Sequence, residues 1–335
     1  MRNRMPVYKL FALSLSLLLA LAACAQPKPP TAGPSEPAAP EPITPETAML
    51  KIAVLPILDT LPMFVAQKEG LFAKHGVGVE FIPVGSAAER DQIIVAGQAD
   101  GMINDPVSTA LYNKEQIQVQ TVLNAQVATP QQAMFRILAA PRSNITIAND
   151  LKGVEIGVSQ GTVIEYITDR LLQAEGLAPE EIKNIAVPKI SDRMALLSSG
   201  ELKAATLPEP LSSLAAQQGA IVVLDDAKHP DYSYSTYTFR KPVIDQNPDA
   251  IRAFLVAIDE AMALINANPD QYSSLLSDQK LVPSPLTGSF KVPTFVSAGV
   301  PSQAQWNDVL AWLKDKGLLT GELAYTDSIN DSFLP

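Results

Sequence analysis

From Lys51 onward, short apolar runs alternate with amphipathic stretches of helical period. That rhythm predicts an α/β architecture with much parallel sheet. Strands are predicted at residues 51–56, 79–83, 101–104, 119–123 and 135–139, with helices between them at 62–74, 87–96 and 107–114. A second set begins after Pro141, with strands at 155–158, 184–187, 204–207 and 221–224 and helices at 163–175, 192–199 and 211–218. Past the aromatic stretch Tyr232 to Phe239 the sheet pattern stops. Asn247-Pro248 then opens a helix running to about Ala267, and the capping box Ser302-x-x-Gln305 opens another ending at Gly317.

The two sets read as one design used twice. Shifted by 103 residues, Arg90 meets Arg193, Ile93-Ile94 meet Leu196-Leu197 and Gly97 meets Gly200. Shifted by 104, Asp105-Pro106-Val107-Ser108-Thr109 meets Glu209-Pro210-Leu211-Ser212-Ser213. Chance convergence of β-α units is the competing reading. If the repeat is real, there are two similar lobes, and because ligands sit beyond the carboxyl ends of strands in open α/β sheets, Asp105 and Glu209 face each other across one cleft. The expected division is 49–138 and 242–335 for lobe 1 and 139–241 for lobe 2, with crossings near 135–142 and 237–244 and the C-terminal helices returning to the first lobe.

Arg2, Arg4 and Lys9 precede an uncharged run from Leu10 to Ala23, the layout of a signal peptide and too short for a membrane span of about twenty residues. Leu21-Ala22-Ala23-Cys24 resembles the lipobox of bacterial lipoproteins. The resemblance implies removal of residues 1–23 and acylation of Cys24, which places the chain at the cell membrane, lipid-anchored on the extracytoplasmic side; ordinary cleavage leaving a free thiol is the alternative. Residues 24–48 hold eight prolines among Ala, Glu, Lys, Ser and Thr, a composition that builds no core and forms an extended tether.

The net charge of -10 argues against nucleic acid as a partner, because phosphate binding relies on clustered Lys and Arg. One cysteine allows no intrachain disulfide and no thiolate-rich metal site. No metal and no cofactor is expected. His75 and His229 carry no assigned function, and Trp306 and Trp312 read as core.

Leu61-Pro62-Met63-Phe64-Val65-Ala66-Gln67-Lys68-Glu69-Gly70-Leu71-Phe72, the Gly-Val-x-Val-Glu-Phe after it and Ala96-Gly97-Gln98-Ala99-Asp100-Gly101 resemble the substrate-binding proteins of ABC importers. The closest group is the one containing thiamine-precursor, riboflavin, taurine and alkanesulfonate binders. The resemblance implies a two-lobed, hinged type II periplasmic-binding fold, a monomer that closes on a small molecule and delivers it to an ABC permease and its ATPase. Pyrimidine-synthesising enzymes in the same family use a cysteine-rich motif and histidines that this chain lacks, so no enzymatic activity is expected.

Each candidate ligand residue also has a structural reading. Asp59 and Thr60 stand at the end of the first strand, where they either meet the ligand or merely start a helix. Ser86, and Ser159-Gln160-Gly161-Thr162, form small polar turns whose amides can bind a carbonyl or an anion; Ser86 with Glu89 and Thr162 with Glu165 are also capping boxes. Asn104, Asp105 and Glu209 either end strands or accept donors from the cargo. Tyr234 and Tyr166 either pack in the core or stack on a flat ring in the cleft, and Phe64 reads as core.

With Asp59, Asp105, Glu165 and Glu209 at the predicted cleft and only Arg193 as a counter-charge, a neutral heterocycle such as riboflavin or a thiamine-type pyrimidine is favoured. A sulfonate or taurine-type anion is the alternative, and an exported enzyme or a protein-binding adaptor is a more distant one.

Overall fold

The computed structural model describes residues 48–296 and 299–335; the predicted signal peptide, Cys24 and all of the predicted tether but Ala48 lie outside the described residues. Ten strands form two five-stranded sheets. The first contains β1 (Met49–Val54), β2 (Gly78–Pro83), β3 (Gly101–Asn104), β4 (Val119–Val127) and β10 (Tyr234–Arg240) in the order β2-β1-β3-β10-β4. The second contains β5 (Phe135–Ala139), β6 (Glu155–Val158), β7 (Lys183–Ala186), β8 (Ala204–Pro208) and β9 (Ile221–Asp225) in the order β7-β6-β8-β5-β9. In each sheet four strands run in one direction, and a single antiparallel strand, β10 or β5, lies between the third and the outermost of them. The same plan occurs twice, as the half-repeat implies, in a two-lobed type II periplasmic-binding architecture.

The helices of the first set are α1 (Leu61–Lys68), α2 (Leu71–Lys74), α3 (Ala87–Val95) and α4 (Pro106–Asn113); those of the second are α5 (Val163–Ala174), α6 (Ile190–Ser199) and α7 (Leu211–Gln217). The helix predicted over 62–74 is broken in two, because Gly70 adopts φ +69°, a left-handed conformation that ends a helix cheaply only at glycine. Past β10 come α8 (Lys241–Gln246), α9 (Pro248–Ala267), α10 (Ser273–Asp278), α11 (Gln303–Asp315) and α12 (Tyr325–Ser328).

The crossings differ from expectation. The chain leaves the first sheet after Val127, enters the second at Phe135, leaves it after Asp225 and returns at Tyr234. The crossings are therefore 128–134 and 226–233, the first just before the predicted strand 135–139 and the second just before β10, a strand the sequence pattern had not predicted. The aromatic run Tyr234–Phe239 is buried throughout, as a strand enclosed on both faces must be. Asp226, itself fully buried, ties the crossings together by accepting the N–H groups of Met134 and Phe135, both at 2.9 Å. Burial pushes its carboxyl up to about 6, against the opposing pull of Ser233 and those two amides.

The C-terminal helices also divide. α9 covers the first lobe, with Phe254 stacked on Phe72 at 5.4 Å and edge-on to Tyr237 and Phe239. α11, opened by the predicted capping box at Ser302, does not return to the first lobe alone. Its Trp306, Val309, Trp312 and Leu313 share one buried cluster with Val107 and Ala110 of α4 and with Tyr166, Ile167 and Leu171 of α5. Asp308 accepts from the Tyr166 hydroxyl and from Arg170 Nε, each at 2.8 Å. His75 and His229 each pair with a glutamate, Glu260 at 2.8 Å and Glu175 at 2.6 Å, which ties helix ends to neighbouring elements.

Candidate functional site

A cleft of about 1200 Å³ opens at the carboxyl ends of the parallel strands, between the turns of both lobes. Of the sequence-predicted residues, Ser86 and Asp105 line it from the first lobe, and Ser159, Gly161, Thr162 and Glu209 from the second. The remaining six stand outside its lining. Thr60 is buried and donates to the Ile57 carbonyl at 2.6 Å, as a helix start would. Burial holds the Asp59 carboxyl above its usual range. Asn104 is buried and donates to Thr109 Oγ1 at 3.1 Å. Gln160 is exposed and donates to the Asn184 carbonyl. Tyr166 and Tyr234 are buried, with Tyr166 set edge-on to Trp312 at 5.6 Å. Phe64 packs edge-on to Phe81.

The walls are aliphatic, built from residues such as Leu55, Ile57, Val107, Val163, Ile190 and Leu211; Tyr112 is the one aromatic ring among the lining residues. Three lining features escaped the sequence reading. Arg90 is one, although the half-repeat had aligned it with Arg193. Lys189 is another. The third is the segment around Lys280 to Ser284, which the chain brings over from beyond α10; its short polar-apolar mixture carries no periodic signal.

The capping and cleft roles of the turns coexist. Ser86 Oγ accepts the Glu89 N–H at 3.1 Å, while the Glu89 carboxylate takes the Gly85 N–H at 2.7 Å. In the second lobe Thr162 Oγ1 accepts the Ile164 N–H at 3.2 Å, and Glu165 takes the Gly161 N–H at 2.7 Å. Asp105 caps α4 by accepting the Ser108 N–H at 2.8 Å. Burial raises its pKa even though the Arg90 charge opposes the shift. Its repeat partner Glu209 caps nothing, because Pro210 occupies the cap position of α7. Glu209 instead pairs with Arg136, whose Nη1 also donates to Ser213 Oγ at 2.8 Å.

Electrostatically, two of the four carboxylates predicted at the cleft, Glu209 and Glu165, have a cation partner, whereas Asp59 and Asp105 form no ion pair among the described residues. Glu209 has Arg136, Asp91 has Arg90 at 2.8 Å, and Glu165, which lies outside the lining, has Lys316 at 2.8 Å. Among the described residues a cation behind the cleft wall is unmatched as well. Arg193 is fully buried behind the cleft wall, donates Nη1 to Ser159 Oγ at 3.2 Å, and leaves Nε and Nη2 without a partner. Burial lowers its pKa to about 10. A guanidinium removed from water with two donor sites unsatisfied is costly unless an anion or another acceptor completes it. Among the described residues, no group of three or more His, Cys, Asp or Glu side chains is placed to hold a metal ion.

Residues 58–272 match the model of the NMT1/THI5 like family, and the chain belongs to that family. It is 22% identical over 256 residues to the nitrate/nitrite binding protein NrtA of Nostoc sp. (strain PCC 7120), covering 70% of this chain and 58% of that one. It is 24% identical to the riboflavin-binding protein RibY of Chloroflexus aurantiacus, covering 98% of each. The fold is that of the periplasmic aliphatic sulphonate binding protein SsuA from Escherichia coli, with a TM-score of 0.69 at 20% identity over 83% of this chain and 96% of that one. The chain spans 51 to 63% of the length of the first curated relatives it matches. No helix among the described residues is long and apolar enough to cross a membrane.

Proposed function

We propose that this chain is the solute receptor of an ABC importer, anchored by a lipid on Cys24, and that its cleft captures a small organic anion of the aliphatic sulfonate class for delivery to a permease and its ATPase. The observation that carries this reading is Arg193, a buried guanidinium with Nε and Nη2 unpartnered among the described residues, set behind the lining residue Ser159 of a cleft where Glu209 and Asp91 already have cations. The acidity that favoured a neutral heterocycle on sequence grounds is thereby offset in part, at Glu209 and Glu165. Aliphatic walls suit an alkyl body, and the relatives named for nitrate/nitrite and aliphatic sulphonate point to anions.

A flavin is the second reading. Two observations favour it: the cleft volume of about 1200 Å³ exceeds what a short sulfonate fills, and the riboflavin-binding relative aligns along 98% of both chains. Against it stand the buried positions of Tyr166 and Tyr234, which leave Tyr112 as the ring available for stacking.

A thermal-shift panel of alkanesulfonates, taurine, riboflavin and a thiamine-type pyrimidine separates the two. Sulfonate at a hundred times its Kd is expected to add about 2.7 kcal/mol of stability. Stabilisation by riboflavin alone would reverse the order of the readings, and stabilisation by none would remove both. Mass spectrometry of the membrane fraction tests the anchor, with an acylated Cys24 at the mature N-terminus as the expected result.

A further inference from the structure

The two lobes use the same device to set their cleft turns, and only one of them is braced. In the first lobe the Gly85 N–H donates to Glu89 Oε2 at 2.7 Å; in the second the Gly161 N–H donates to Glu165 Oε2 at 2.7 Å. Both glycines line the cleft beside a polar turn residue, Ser86 or Thr162. Glu89 is exposed, and among the described residues no cation pairs with it. Glu165 is buried, and its other oxygen, Oε1, accepts from Lys316 Nζ at 2.8 Å.

Lys316 stands at the end of α11, far along the chain from the cleft. Its ammonium is also 2.8 Å from Asp169 Oδ2 and lies over the Trp312 ring at 5.7 Å. Asp169 is fixed in turn by Trp312 Nε1 at 2.8 Å and by Asn184 Nδ2 at 2.6 Å. Burial works against the charged lysine, yet the hydrogen bonds it donates to Asp169 and Glu165 outweigh it and hold its pKa above the usual value. The ammonium therefore remains charged and holds Glu165 in one rotamer. That carboxylate in turn holds the Gly161 amide, in a turn whose φ of +71° needs glycine. Thr162 closes the same turn onto the Ser159 carbonyl at 2.7 Å, and Ser159 is the residue that meets Arg193.

Resting on the solute-receptor reading above, we infer that Lys316 is a positioning residue for solute binding: through Glu165 it sets the 159–162 turn on the second wall of the cleft. Charge-assisted bonds of this kind are shorter and stronger than neutral ones and fix geometry as well as energy. The unbraced Gly85–Glu89 turn is a control within the same molecule.

The test is hydrogen exchange at the Gly161 and Gly85 amides, followed by NMR on the purified full chain without solute. Lys316→Met is expected to speed exchange at Gly161 by about tenfold relative to Gly85, and Lys316→Arg to restore it. If Lys316→Met does not fold, Glu165→Gln serves instead: it keeps an acceptor for Gly161 but loses the charge that Lys316 grips, and a smaller acceleration confined to Gly161 is expected. Calorimetry with pentane-1-sulfonate, or with riboflavin if the wild-type chain takes that instead, run well below the lowered melting temperature of the variant, is expected to show Lys316→Met weakening affinity by about tenfold, with Lys316→Arg near wild type in both affinity and melting temperature. An unmoved Gly161 amide, acceleration equal at both glycines, or unchanged affinity overturns the inference. A wild-type chain that binds neither probe overturns the solute reading while the exchange result still decides what Lys316 does to the turn.

Discussion

Arg90 and Arg193 occupy equivalent places in the two halves of the repeat and live in opposite circumstances. Arg90 spends its donors within the protein, on Asp91 at 2.8 Å, the Ile103 carbonyl at 3.2 Å and Ser108 Oγ at 3.3 Å. Arg193 has Ser159 alone. The residue after Arg90 is Asp91 and the residue after Arg193 is Met194, so the built-in counter-ion is missing from the second lobe. One lobe uses its arginine to hold itself together. The other holds an arginine in reserve, and a buried charge held in reserve destabilises the empty protein.

The largest effect expected from breaking this asymmetry is at Arg193. Arg193→Met should weaken sulfonate binding by about 3 kcal/mol, the upper range for hydrogen bonds to a charged group, without lowering the melting temperature, since it removes an unmatched buried charge. Calorimetry and thermal denaturation of the same sample check both halves of that expectation.

Next comes the hinge. Asp226 titrates near 6 in the folded protein against 3.8 for the free side chain, so the folded state holds this proton more tightly than the unfolded one. Stability should therefore rise as pH falls from 7 through 6 toward 4, by roughly 3 kcal/mol from this group. Asp59 and Asp105, also raised by burial, add slope of the same sign. Asp226→Ala should remove most of the slope in urea melts at pH 7, 6 and 5.

Arg90→Met should cost about 2 kcal/mol of stability by taking the buried donor from the Ile103 carbonyl and the cation from Asp91, which keeps only the Tyr112 hydroxyl, with a smaller change in affinity than Arg193→Met. Equal effects at both arginines would erase the distinction between the lobes. The smallest change is expected from Asp105→Asn. Asparagine caps a helix as well as aspartate, so stability should hold within a few tenths of a kcal/mol. Affinity for an anion should improve by about 0.5 kcal/mol as a like charge leaves the cleft. Weaker binding would instead make Asp105 an acceptor for donors on the cargo, as a heterocycle would require.

Much of this frame was legible in the sequence because it is written in periodicity. Alternating runs placed eight of the ten described strands to within a residue or two, stopped four residues short on β4 and missed β10, and the Arg90–Arg193 and Asp105–Glu209 correspondences predicted two sheets of one plan. What periodicity does not carry is pairing between distant positions. Asp105 and Glu209 look alike beside proline, yet one caps a helix and the other meets Arg136. Glu165 reads as a capping residue, and nothing local links it to Lys316. The tyrosines of 166 and 234 read equally as core or as stacking platform, and burial against α11 and within β10 decided for the core. The cleft's charge balance depends on those pairings, which counting acids along the chain does not show.

The most direct measurement follows the side-chain Nε–H resonances of Arg193 and Arg90 by ¹⁵N NMR while pentane-1-sulfonate is added. If the second lobe's guanidinium is the anion's receptor, the Arg193 signal shifts and saturates with the binding isotherm while Arg90, already bonded to Asp91, stays in place. Saturable binding with Arg193 unmoved would contradict the assignment.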